Sequence, residues 1–223
     1  IFGQVTGING RIAQTFEDTI TLATPDALFS DSLDRSSIYQ KVLPLSPGLY
    51  KIDLVIKDVQ SDNVGTINQR LAVPRFSSEQ LTASSLILAD LIEPVPSRQV
   101  GSAPFVLGSL RVRPSVKREF DPNQKLYYWI QIYNLQIDES LLKPSATVET
   151  LITRDGREVQ KIVEMTDELS GAAQQMTLQK MIDLSDFEPG EYLLQVRITD
   201  NLSGEIVTQT GDFVVQEPLV ASR

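Results

Sequence analysis

Cysteine and histidine are both missing from the 223 residues of this chain. Their absence removes thiolate nucleophiles, disulfides, the usual zinc ligands, the common proton shuttle, and both Ser-His-Asp and Cys-His catalysis. Carboxylate, lysine, tyrosine and oxygen-ligand chemistry remain. Aromatic residues make up only 7%, and tryptophan occurs once, at Trp129. No apolar run approaches the ~18 residues of a membrane-crossing helix, so no transmembrane segment is expected. Positive charge is in deficit, with 20 Lys and Arg against 29 Asp and Glu and a formal charge of −9. That balance argues against non-specific nucleic-acid binding and against attraction to anionic membranes. A chain without cysteine cannot mispair under oxidising conditions, which suits a periplasmic or extracellular protein. Ile1 stands where a start methionine would be, so the chain is read as a processed or excised piece.

What the sequence does contain is a repeat. Pro47 to Val73 aligns without a gap against Pro189 to Val215, 142 positions later, with 8 of 27 residues identical. Unrelated segments of average composition would share about one or two. Each copy runs Pro-Gly-x-Tyr, an alternating strand, Asp-x-x-Ser, and a second strand. Tyr50, Ile52, Leu54 and Ile56 fall on one face of the first, and Tyr192, Leu194, Val196 and Ile198 on one face of the second, the period-two pattern of a half-buried strand. The turns Asp58 to Asn63 and Asp200 to Gly204 complete two hairpins. A sheet with one apolar face needs a second layer, so each copy implies a β-sandwich.

Phe2 to Gly7 and Arg11 to Leu22 flank Asn9-Gly10, a hairpin signal, and residues 24 to 37 read as a loop. Ile38 to Leu45 reads as a further strand, and the repeat extends to it, because Tyr39-Gln40-Lys41-Val42-Leu43-Pro44-Leu45 resembles Leu178-Gln179-Lys180-Met181-Ile182-Asp183-Leu184. Later strands are expected at Phe105 to Leu107, Leu110 to Val116, Lys125 to Ile137, Ala146 to Thr153, Glu158 to Met165 and Gln175 to Ile182, with Asp155-Gly156 as a hairpin turn. The chain thus divides into a first β-sandwich over residues 1–76, a polar linker over 77–84, and a second β-sandwich over 85–223. The expected fold is all-β, two tandem immunoglobulin-like sandwiches of about five and about eight or nine strands. Five strands are few for a closed sandwich, so the first is expected to be incomplete, with Phe2, Gln4 and Val5 on an open edge strand.

Four stretches carry a resemblance: Tyr39 to Tyr50, Leu71-Ala72-Val73-Pro74-Arg75-Phe76, Ala83 to Asp90, and Pro189-Gly190-Glu191-Tyr192. They are similar to the carboxy-terminal region of GWxTD-domain-containing proteins, secreted bacterial proteins of acidobacterial type without an established activity. The GWxTD motif itself does not occur in this chain. The resemblance implies an exported β-rich protein and supplies no catalytic residue.

Four groups of residues have a functional reading beside a plainer one. The Asp58 to Asn63 and Asp200 to Glu205 turns offer oxygen ligands to calcium, or simply turn chemistry. Tyr127, Trp129 and Tyr133 share a strand face with Gln131, which reads either as a stacking surface for a glycan or protein partner or as a second buried face. Arg111, Arg113, Lys117 and Arg118, interrupted by Pro114, form a basic stripe that either protects a sheet edge or docks an acidic partner. Glu17, Asp18, Asp26, Asp31 and Asp34 could supply a carboxylate pair for glycoside hydrolysis, but no second motif accompanies them. The expectation is therefore a non-enzymatic structural or protein-interaction module, without catalytic residues, cofactor or metal, that binds a protein partner or itself as part of a larger assembly. A carbohydrate-binding or adhesion module, or an accessory domain of an exported enzyme, is the alternative.

Overall fold

The computed structural model describes residues 1–21, 38–100, 104–165 and 174–218. The chain is all-β and forms two compact units, Ile1–Phe76 and Ser77–Arg223.

Unit one is built on one antiparallel sheet of β1 (Phe2–Gly7), β2 (Ile12–Glu17), β3 (Gly48–Lys57) and β4 (Val64–Val73), in the order β2-β1-β3-β4. This corrects three expectations. Among the described residues unit one is a single four-stranded sheet and not a sandwich of about five strands. Phe2, Gln4 and Val5 do not lie on an open edge, because β1 pairs with β2 on one side and β3 on the other. The edges are β2 and β4. Residues 38–47 form no strand. Their apolar alternation is real, with Tyr39, Leu43 and Leu45 half-buried, but alternation makes a strand only beside a hydrogen-bonding neighbour.

Unit two comprises β5 (Thr82–Ala83), β6 (Ile87–Pro94), β7 (Val106–Leu107), β8 (Leu110–Pro114), β9 (Glu119–Phe120), β10 (Lys125–Tyr133), β11 (Ile137–Asp138), β12 (Lys143–Pro144), β13 (Ala146–Arg154), β14 (Arg157–Met165), β15 (Met176–Asp183), β16 (Gly190–Asp200) and β17 (Ile206–Val215). One layer runs β14-β13-β16-β17-β9 and the other β15-β10-β6-β8-β7, with β5 added to β10 and β11-β12 as a separate ribbon. The alternate residues Leu126, Tyr128, Ile130 and Ile132 of β10 meet Leu194, Val196 and Ile198 of β16 in a single core, all at 0% exposure. Tyr128 Oη and Thr150 Oγ1 share a buried hydrogen bond of 2.7 Å that joins the layers. Burial pushes the Tyr128 phenol up to about 12.

The β13–β14 hairpin closes through Asp155 (φ 51°) and Gly156 (φ 73°), the doubly left-handed pair of a type I′ turn. Residues 77–84 are not a free linker. Leu81 and Ala83 are buried, Asn134 Nδ2 donates to the Ser77 and Gln80 carbonyls at 2.9 Å each, and the Leu81 amide donates to Glu205 Oε2 at 2.6 Å. The polar composition that suggested a linker serves to tie this segment onto unit two.

Candidate functional site

The two sheets that contain the repeat are built alike. All ten register pairs between β3 and β4, from Gly48↔Val73 to Lys57↔Val64, recur between β16 and β17, from Gly190↔Val215 to Thr199↔Ile206. The Asp58 amide donates to the Asn63 carbonyl at 2.9 Å, and the Asp200 amide to the Glu205 carbonyl at 2.9 Å. The equivalence continues outward. Val5 pairs with Ile52 as Ile152 pairs with Leu194, and the register of each outer hairpin breaks just after that residue, between Val5 and Thr6 and between Ile152 and Thr153. Sheet β2-β1-β3-β4 is therefore the counterpart of β14-β13-β16-β17.

What differs is the cover. Leu194, Val196 and Ile198 are fully buried beneath the second layer of unit two. Their counterparts Ile52 and Leu54 are only half-buried and Ile56 is 42% exposed, although the residues are just as apolar. On β4, Ile67 is 50% exposed on the same face, with Leu71 and Val73 half-buried. One end of the face closes itself. Gly3 stands where unit two has Thr150, and a Cβ there would collide with the Phe16 ring lying over it. Tyr39 stacks on Phe16 at 6.5 Å between centroids, and Lys41 Nζ sits 5.4 Å from the centre of that ring. Tyr39 donates to Asp18, and Lys41 Nζ pairs with Asp18 at 2.8 Å. Those two partners, Lys41 first, hold the Asp18 carboxyl below its ordinary range. The β3–β4 half of the face has no comparable cover among the described residues.

The residues singled out from sequence fall elsewhere. Trp129 is 7% exposed and belongs to a small cluster with Ala89 and Val112, against which Ile87, Leu107, Leu110 and Tyr127 pack on the outside of the second layer. It is not a stacking surface. Its indole N–H has no acceptor among the described residues. Tyr127 and Tyr133 are half-buried, and the Tyr133 hydroxyl donates to Gln131 Oε1 at 2.9 Å. The basic stripe is dispersed into ion pairs: Arg111 with Glu93 at 2.8 Å, Arg113 with Asp90 at 2.6 Å, and Arg118 with Asp212. Three of its four charges thus have acidic partners, which removes the uncompensated field that docking would need, while Lys117 makes no ion pair among the described residues.

The aspartates of the two turns are occupied by local donors. Asp58 accepts from the Gln60 amide at 2.9 Å and the Ser61 hydroxyl at 2.5 Å. Asp200, 1% exposed, accepts from the amides of Gln136 at 2.8 Å and Leu202 at 2.9 Å. Glu17 is exposed, Asp18 is engaged as described, and Asp26, Asp31 and Asp34 lie outside the described residues. A cavity of about 690 Å³ at one end of unit two is lined by Arg154, Glu188 and Tyr192. Its guanidinium is already committed: Arg154 pairs with Glu188 at 2.6 Å, donates to the Pro189 carbonyl at 3.0 Å and lies 5.7 Å from the centre of the Tyr192 ring.

The half-covered apolar face of unit one is thus the feature that the rest of the molecule does not account for. The sequence contained its signal, in the alternating Ile52, Leu54 and Ile56 and in the repeat. The strand count anticipated an incomplete first unit but placed the gap at the Phe2 to Val5 edge; that the uncovered part among the described residues is the β3–β4 face depends on non-local packing. No family model matches the chain, and no curated protein matches it.

Proposed function

We propose that this chain is a non-enzymatic structural or protein-interaction module and a component of a larger assembly. The observation that carries the reading is the apolar face of unit one, where Ile56 and Ile67 stand 42% and 50% exposed, while Ile198, the counterpart of Ile56, is fully buried and the counterpart of Ile67 is the polar Gln209. Contiguous apolar surface of this kind marks a place where another surface settles. The commitment of the carboxylates and of Arg154 to turns and ion pairs leaves no acid–base or nucleophile pair assembled among the described residues, which favours interaction over catalysis. The burial of Trp129 weighs against a glycan-stacking role.

In this reading unit two is an immunoglobulin-like sandwich. Within its six- and five-stranded sheets, the strands β6-β10-β15 and β14-β13-β16-β17, to which β5, β7, β8 and β9 are added, support that, as does Tyr192 near the start of β16, whose hydroxyl donates to the Glu188 carbonyl four residues upstream at 2.7 Å in the manner of a tyrosine corner. The resemblance to the carboxy-terminal region of GWxTD-domain proteins and the absence of cysteine support an exported bacterial protein of the periplasm or cell exterior. The test is the size of the native particle. Tagged protein gently extracted from the cells that make it should sediment well above the purified 223-residue chain. Sedimentation as the same monomer in both preparations contradicts the proposal.

A further inference from the structure

The molecule's own second unit indicates what would cover the first, an inference that rests on the assembly reading above. In unit two the face of β13, β16 and β17 is closed by β15 and β10, paired antiparallel from Lys125↔Asp183 to Ile132↔Met176, with β6 beyond β10. In chain order β15 lies between β14 and β16. The corresponding place in unit one, between β2 and β3, contains residues 39–45, whose sequence matches residues 178–184. Leu43 and Leu45 are half-buried there, as the matching Ile182 and Leu184 are buried in unit two. A sequence counterpart of β15 is therefore present, although it forms no strand. A counterpart of β10 is not found among the described residues of unit one.

We infer that the face formed by Leu54, Ile56, Ile67, Leu71 and Val73 docks one extended strand of the β10 type, a segment with large apolar side chains at alternate positions and polar residues between them. The repeat fixes the chemistry of the occupant. β10 fills its place with Leu126, Tyr128, Ile130 and Ile132, all fully buried, in one core with Val196, Ile198, Phe213 and Val215, the counterparts of Leu54, Ile56, Leu71 and Val73, while Ile67 has the half-buried Gln209 as its counterpart. It also fixes one point of selectivity. Tyr128 reaches across to Thr150, but the counterpart of Thr150 is Gly3, and Phe16 already fills the space above it. The incoming strand therefore carries a small residue at the place of Tyr128. Recognition of this kind takes affinity from the apolar area buried and specificity from the side chains at alternate positions.

The probe is a synthetic peptide of residues 124–133 with Tyr128→Ala to clear Phe16 and with the outward Tyr127→Lys and Trp129→Thr for solubility. It is titrated into the full chain, and side-chain methyl NMR is recorded. Saturable shifts at the Leu54, Ile56 and Ile67 methyls are expected, with affinity reduced at least tenfold by Leu54→Lys and by Ile67→Lys, and unchanged by Lys51→Glu on the opposite face. A peptide that keeps Tyr128 should bind at least tenfold more weakly. Absence of shifts, or shifts that survive both lysine variants, overturns the inference. So does a dimer of the chain alone with these methyls buried between copies, which would make a second copy the occupant. If the peptide is silent while protein extracted from cells still sediments as a large particle, the strand assignment fails and the assembly reading stands. If the extracted protein is also a monomer, both fail.

Discussion

Tyr50 and Tyr192, 142 residues apart, make the same hydrogen bond: each hydroxyl donates at 2.7 Å to the carbonyl four residues upstream, that of Ser46 in one unit and of Glu188 in the other. Each thereby ties the chain entering a hairpin to its first strand. The surroundings differ, since the Tyr192 ring is buried, stacked on Phe213 at 5.3 Å, while the Tyr50 bond is exposed.

That difference predicts unequal costs for the same change. Tyr192→Phe should destabilise unit two by about 1 kcal/mol, the usual net worth of a sheltered hydrogen bond, and Tyr50→Phe by less than about 0.5 kcal/mol. Urea denaturation of the two variants measures both. Equal losses would contradict the difference in shelter.

Ile56 and Ile198 occupy equivalent positions with opposite burial, 42% and 0% exposed. Two equal aliphatic residues in equal hairpins suggest equal burial, and the structure corrects that for Ile56. Ile198→Ala should cost about 2 to 5 kcal/mol, as for a filled core. Ile56→Ala should cost less than about 1 kcal/mol in the isolated chain. Chemical denaturation decides, and a core-sized loss at Ile56 would mean that the face is covered.

The Tyr128–Thr150 bridge should make unit two sensitive to alkali. With its folded value raised to about 12 by burial, Tyr128 stays neutral when an unfolded tyrosine near the ordinary 10.0 already ionises. Its contribution is therefore complete below pH 10 and declines as pH rises from 10 to about 12, by an amount on the order of 2 to 3 kcal/mol. Tyr128→Phe should flatten that decline and cost about 1 kcal/mol at neutral pH for the lost bond. An unchanged alkaline slope in the variant would contradict the assignment. Tyr133 is likewise raised by burial and remains in the variant as a residual slope.

Asp18 gives the opposite sign. Hydrogen bonds from Lys41 and then Tyr39 hold its carboxyl below the ordinary 3.8, so its contribution is present above 3.8 and lost as pH falls through the lowered value. The Phe16 and Tyr39 ring resonances should shift together below pH 3.8 in the wild type and show no such transition in Asp18→Asn. A transition that persists in Asp18→Asn would place its cause elsewhere.

Much of the fold could be read locally. Period-two alternation located β3, β10 and β16, and Asp155-Gly156 marked a turn, because side-chain direction and positive φ are properties of a few consecutive residues. What failed was non-local. Strand counting could not show that β3 would pair beside β1 and turn a supposed edge into an interior strand. Alternation at residues 38–45 could not show that a ladder neighbour is lacking. The aromatic face of β10 could not show that Ala89 and Val112 from neighbouring strands would cluster with Trp129. The candidate face itself was half legible: its apolar residues were evident from the repeat and the incompleteness of the first unit from the strand count, but the count placed the gap at the β1 edge and not over the β3–β4 face.

The most direct measurement is the relaxation of methyl protons by an inert, soluble gadolinium chelate, which reports the distance of each methyl from solvent. For the monomeric chain the account predicts strong enhancement at Leu54, Ile56 and Ile67 and almost none at Val196 and Ile198, the fully buried counterparts of Leu54 and Ile56 in the second unit. Equal protection of Ile56 and Ile198 in the monomer would show that the first sheet already has its second layer, and would contradict the account.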